Sequence, residues 1–125
     1  MLIQLDFTID IPIYMQIRNQ IVVSIADGKL SAGERLPTIR ALANEAGINM
    51  MTANKAYALL KQEGYIQTDR RSGVLVSTVL KGEGVITEKI KHSLELLVSE
   101  AKLEGVQEQE FLSLCSRIYN RTEGK

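Results

Sequence analysis

Gly47 lies between two short helix-forming runs, and each run opens on a residue suited to capping a helix. Thr38 precedes Ile39–Ala46. Asn49 precedes a run in which Ala53, Ala56, Tyr57 and Leu60 return on one face until Gly64. A capping side chain accepts a hydrogen bond from a backbone N–H that the first helical turn leaves free, and a glycine supplies the left-handed residue that a tight reversal needs. Two short helices hinged this closely read as a helix-turn-helix unit.

The flanking segments give that unit a setting. Upstream, Ile13, Tyr14, Ile17, Ile21 and Ile25 recur at helical spacing after Pro12, with Gln16, Arg18, Asn19 and Gln20 on the other faces, and Gly28 marks the end. Lys29 to Pro37, with Gly33 inside it, reads as a connecting loop. Downstream of Gly64 the period shortens to β-rich runs at Tyr65 to Thr68 and Val74 to Ser77, separated by Asp69 to Gly73. This is a hairpin with Arg70 and Arg71 at its tip. Lys81-Gly82-Glu83-Gly84 reads as a flexible linker. Beyond it Ile86, Ile90, Leu94, Leu97 and Ala101 describe one amphipathic helix, and Glu108 to Tyr119 a second. The predicted fold is α+β and mainly α: a winged helix-turn-helix domain over 1–80, followed by a short two-helix region over 81–125.

Charge matters here through its distribution. Fifteen Lys and Arg balance fifteen Asp and Glu, so net charge says nothing about nucleic acid. Between Arg35 and Arg71, however, Arg35, Arg40, Lys55, Lys61, Arg70 and Arg71 face only Glu45, Glu63 and Asp69, whereas glutamates crowd the region after Gly82. The first segment suits phosphate and the second does not. The single Cys115 excludes an intrachain disulfide and fits a reducing compartment. Asp6 and Asp10 near the start do not suit a signal peptide, and no apolar run approaches the ~20 residues that span a bilayer, so a cytoplasmic protein is expected.

An enzyme would need a nucleophile, a base and a stabilising site, and the chain shows no such set, no phosphate loop and no metal pair. Neither cofactor nor metal is expected. The sole histidine, His92, has no second His or Cys near it in sequence and reads as solvent-facing. Cys115 reads as inert packing on an apolar face, and Tyr14 and Tyr57 as core residues with hydroxyls at the edge.

On a helical wheel Met51, Lys55, Ala58 and Gln62 point away from Ala53, Ala56, Tyr57 and Leu60, with Thr52 and Asn54 on the flanks. A narrow, mostly polar face of this kind can enter a major groove with its N-terminal residues at the base edges, where Asn and Lys offer hydrogen bonds. Arg35, Thr38 and Arg40 around the second helix, and Arg70, Arg71, Ser72 and Gly73 on the hairpin, suit the flanking phosphates. Other readings stay open at this point: a small helical core or protein-docking module for the helix pair, a solvated turn for the two arginines, and either packing or groove lining for Met50 and Met51.

The stretches Pro12-Ile-Tyr-Met-Gln-Ile, Gly33-Glu-Arg-Leu-Pro-Thr-Ile-Arg-Ala-Leu-Ala, Gly47-Ile-Asn, Thr52, Ala56-Tyr and Glu63-Gly-Tyr-Ile, with the Gly73-containing wing, together resemble the GntR family of transcription regulators and its short YtrA-like subfamily. The resemblance covers about Asp10 to Val79. It implies a dimeric, usually repressing regulator that binds a near-palindromic operator in double-stranded DNA, with contacts at Arg35, Thr38, Arg40, Asn49, Thr52, Asn54, Lys55 and Arg71 to Gly73. The chain departs from the pattern at Met50-Met51, where Pro-Asn is frequent, and at Asn54, which is often arginine in larger members. The operator sequence therefore does not transfer.

Only about forty residues follow the linker, too few to enclose a ligand pocket of roughly 300 Å³ or more alone. They are expected to form a homodimer interface through Ile90, Leu94, Leu97, Ala101, Phe111, Leu114 and Ile118. An unknown small-molecule effector, if there is one, would then bind between subunits or between domains. The rival to operator binding is a winged helix that serves as a protein-interaction module without specific DNA binding.

Overall fold

The computed structural model describes residues 3–80 and 82–121; Met1, Leu2, Lys81 at the head of the expected linker, and 122–125 lie outside the described residues. Five helices and a two-stranded sheet follow in the order α1 (Ile13–Ala26), α2 (Ile39–Ala46), α3 (Met50–Gln62), β1 (Ile66–Asp69), β2 (Gly73–Val76), α4 (Glu88–Leu103) and α5 (Glu108–Asn120). They fall into two compact units that divide after Leu80.

In the first unit α3 packs against both α1 and α2. The core is aliphatic: Ile17, Ile21, Leu42, Ala53, Ala56, Leu60 and Val76 are sealed from solvent, with Leu30, Leu36, Ala43, Tyr57 and Ile66 nearly so. Both expected caps are made. Thr38 accepts from the Ala41 N–H at 3.1 Å and Asn49 from the Thr52 N–H at 2.8 Å. Gly47 between them sits at φ 71°, a left-handed conformation that residues with a Cβ rarely adopt.

The hairpin pairs Ile66 with Val76 and Asp69 with Gly73, antiparallel. A further ladder takes shape where the sequence reads only as a loop: Gly33 N–H donates to Val76 O, Leu36 N–H to Val74 O, and Val76 N–H to Glu34 O, with an antiparallel bridge between Arg35 and Leu75. The segment is too short and too rich in charge to show strand alternation. Its order comes from the free edge of β2.

The N-terminal segment also differs from expectation. Gln16, placed on a polar face by the wheel, is only 6% exposed. Its amide accepts from the Asp6 N–H and donates to the Asp6 and Ile11 carbonyls. One turn on, Gln20 accepts from the Gln4 N–H and donates to the Gln4 carbonyl. Two glutamines at i and i+4 thus imitate the edge of a strand, and Ile3 and Leu5, on alternate positions of the clamped segment, pack against the core.

In the second unit Thr87 caps α4 by accepting from the Ile90 N–H at 3.2 Å, and Gly105 closes the turn into α5. Neither helix holds a buried residue.

Candidate nucleic-acid interface

Helix α3 carries the candidate recognition face. Its inner side, Ala53, Ala56, Tyr57 and Leu60, is buried, and its outer side, Met51, Asn54, Lys55, Ala58 and Gln62, is exposed, with Thr52 between. The small inner alanines let α3 lie close to α1 and α2. The outer face carries no acid until Glu63. Met51 is 82% exposed in the first turn, a large apolar surface open to solvent with chemistry suited to the methyl group of thymine.

The capping bonds decide what Thr38 and Asn49 can still offer. The Thr38 hydroxyl oxygen is engaged by Ala41 and keeps its proton to donate, and the Asn49 amide oxygen is engaged by Thr52 and keeps its NH₂ donors. Both residues are exposed, and each keeps at least one donor, which matches a phosphate or a base acceptor. A buried hydroxyl fixes this corner from behind: Tyr57 donates to the Pro37 carbonyl at 2.7 Å, tying α3 to the residue before the Thr38 cap. Burial pushes the Tyr57 phenol well above its ordinary range, with the Glu45 charge adding to the shift, so the group stays protonated and serves as a donor.

Arg35 and the hairpin tip form one structure. The Arg35 Nε donates to the Ser72 carbonyl at 2.8 Å, and Asp69 accepts from the Arg71 N–H at 2.8 Å, which folds the tip back on itself. Gly73 follows at φ 79°. Arg35, Arg70 and Arg71 are all exposed, as is Arg40 in the first turn of α2. The structure thus brings Arg35 together with Ser72, and among the described residues no hydrogen bond or ion pair joins this group to Arg40 or Asn54.

The hairpin is also braced from its root. Arg18 on α1 makes a two-pronged ion pair with Glu63 at 2.8 and 3.0 Å, and its guanidinium lies 5.7 Å from the Tyr65 ring centre. The Glu63 carboxylate keeps the Arg18 guanidinium above its ordinary range by accepting its hydrogen bonds. Glu63 is the C-cap of α3, three positions before β1 begins at Ile66, so this contact fixes where the wing leaves α3.

Lys55 is exposed, and its ammonium lies 4.2 Å from the centre of the Tyr14 ring on α1. Tyr14, expected in the core, is half-buried with its ring turned to this lysine. Periodicity placed it on an inward face but could not show which cation would meet it. The seven apolar residues expected at a dimer interface lie in the second unit: Ile90, Leu94, Leu97, Leu114 and Ile118 are exposed, and Ala101 and Phe111 half-buried. Leu97, Ala101, Phe111 and Leu114 line a shared groove between α4 and α5. No described helix is long and apolar enough to cross a membrane.

Comparison with known proteins agrees with this architecture. Residues 13–76 match the family model described as bacterial regulatory proteins, gntR family. The chain is 37% identical over 109 residues to the HTH-type transcriptional repressor YtrA of Bacillus subtilis strain 168, covering 85% of this chain and 83% of that one. Among solved structures it resembles YtrA from Sulfolobus acidocaldarius, a GntR-family transcription factor, at 34% identity and a TM-score of 0.58, covering 93% and 95% of the two chains. It also resembles the DNA-binding domain of AraR in complex with operator ORE1, at 26% identity and a TM-score of 0.52, covering 59% of this chain and 90% of that domain. A winged helix-turn-helix with two further helices, matched along most of its length by regulators of one kind, thus has its place: the chain belongs to the GntR family of bacterial regulatory proteins.

Proposed function

We propose that this protein is a transcriptional repressor that binds a near-palindromic operator as a homodimer. The outer face of α3 enters the major groove, and Arg35, Thr38, Arg40 and the hairpin tip at Arg70 to Gly73 hold the flanking phosphates. The observation that carries this reading is the exposed face of α3, free of acids and bearing Met51, Asn54 and Lys55, with Asn49 at its start. Four exposed arginines, Arg35 on the segment paired with β2, Arg40 on α2, and Arg70 and Arg71 at the hairpin tip, supply positive charge for the flanking phosphates. The likeness to a repressor and to an operator-bound domain supports the same reading.

Dimerisation follows from the second unit. Two helices without a buried residue, exposing Ile90, Leu94, Leu97, Leu114 and Ile118, cannot hold their fold by packing on one another. A second copy related by a two-fold axis covers that surface and sets two α3 helices about 34 to 36 Å apart along the duplex. Such a regulator works in the cytoplasm, where the DNA is, and an effector would act by changing the spacing of the two copies. Neither a catalytic step nor a cofactor enters this reading.

Gel-shift titration on the DNA upstream of the protein's own gene tests it. Binding should fall steeply with salt, by a factor of about 10³ or more between 50 and 200 mM for six or more phosphate contacts. Binding that ignores salt, or no binding beside a captured protein partner, would leave the rival interaction module instead.

A further inference from the structure

The contact between Lys55 and Tyr14 changes what Lys55 can do. A lysine on the outer face of a groove-entering helix has a flexible four-carbon stem and a spherical ammonium, so left to itself it would sample the groove floor and both strands. Here the stem bends off α3 toward α1, and the ammonium rests 4.2 Å from the ring centre of Tyr14, in the first turn of that helix. The attraction between a cation and a ring face favours this placement without using any of the three N–H donors in a hydrogen bond. Among the described residues no carboxylate forms an ion pair with it.

From this we propose that Tyr14 is a positioning residue for DNA binding: its ring parks the Lys55 ammonium at the seam between α1 and α3, so that Lys55 meets a backbone phosphate at the groove's edge and does not read a base. The inference rests on the operator-binding reading above and refines it. Base reading then falls to the exposed Met51 and Asn54, with Thr52, whereas Lys55 joins the sequence-independent group of Arg35 and Arg40. Tyr14 itself touches no DNA in this account. It acts by removing the freedom that an unpaired lysine would have to lose on binding.

The test is a double-mutant cycle read by DNA affinity and its salt dependence, using the full chain and two duplexes, the bound upstream DNA and a scrambled version of it. Lys55→Gln should lower the slope of log affinity against log salt by about 0.9, the loss of one phosphate contact, and weaken both duplexes equally. Tyr14→Leu should weaken binding about two- to tenfold, the affinity equivalent of ordering one long side chain on binding. Tyr14→Phe, which keeps the ring, should bind like the parent protein. In the Lys55→Gln background Tyr14→Leu should have no further effect. The proposal is overturned if the two changes are additive, if Phe fails to rescue, or if Lys55→Gln alters preference between duplexes while leaving the salt slope intact. Lys55 is exposed, so its variant decides the last point even if Tyr14→Leu folds poorly. Should the parent protein show no salt-dependent DNA binding, the operator-binding reading itself falls, which is a different result from any of these.

Discussion

At the scale of single residues, three members of the site already engage one side-chain atom inside the protein. Thr38 and Asn49 cap helices with their oxygens and keep donors outward, and Arg35 holds the wing tip with Nε while the rest of its guanidinium stays exposed. Arg40 makes no such internal bond and is the cleanest phosphate probe among the described residues: Arg40→Ala should weaken binding to any duplex and lower the salt slope by about one, while Asn54→Ala should cost about 1–3 kcal/mol on the preferred base pair and little elsewhere. Gel shifts on matched and scrambled duplexes separate these outcomes. Tyr57 supplies a test in pH. Its folded pKa is raised above the unfolded value near 10, so its contribution to stability is complete below about pH 10 and declines as pH rises beyond that, because the unfolded chain then loses a proton that the folded chain keeps. Tyr57→Phe should abolish that alkaline decline and cost about 0.5–1.5 kcal/mol at neutral pH through the lost bond to Pro37, both readable from urea melts at pH 7 and pH 11.

At the scale of elements, helices α1 to α5 and the hairpin were legible in the sequence because each is announced locally, by the spacing of apolar residues, by Thr38 and Asn49, and by Gly47 and Gly73. What was not legible depends on partners distant in the chain. Nothing near Gly33–Leu36 says strand until β2 offers its edge, and nothing near residues 4 to 6 says order until Gln16 and Gln20 face them. The same limit hid Tyr14 as the partner of Lys55, and Arg18 as the partner of Glu63. The glutamine clamp makes a prediction of its own: Gln16→Ala leaves the N–H and carbonyl of Asp6 and the carbonyl of Ile11 without their partner. It should cost about 1–3 kcal/mol. Hydrogen exchange at residues 4 to 6 should rise far more than at α3, and equal loosening of both would mean that the clamp is part of the global core.

At the scale of the whole molecule, the first unit has a sealed core and the second, among the described residues, has none, and the proposed dimer rests on this contrast. If the second unit forms the proposed dimer seam, Leu97→Asp should turn the protein into a monomer in sedimentation and lower operator affinity by far more than any single phosphate contact, because a carboxylate in an apolar seam is costly and a lone half-site loses the benefit of two-point attachment. A variant that sediments as a dimer would place the interface elsewhere. Everything rests on two copies of the α3 face occupying major grooves on one side of a duplex, and interference by guanine-N7 methylation together with uracil in place of thymine on the upstream DNA reads that directly. Two clusters of interfering guanines or thymines, related by a two-fold axis and about 10 base pairs apart, are expected. Interference confined to a single cluster, or protection of the backbone with no major-groove guanine or thymine involved, would overturn it.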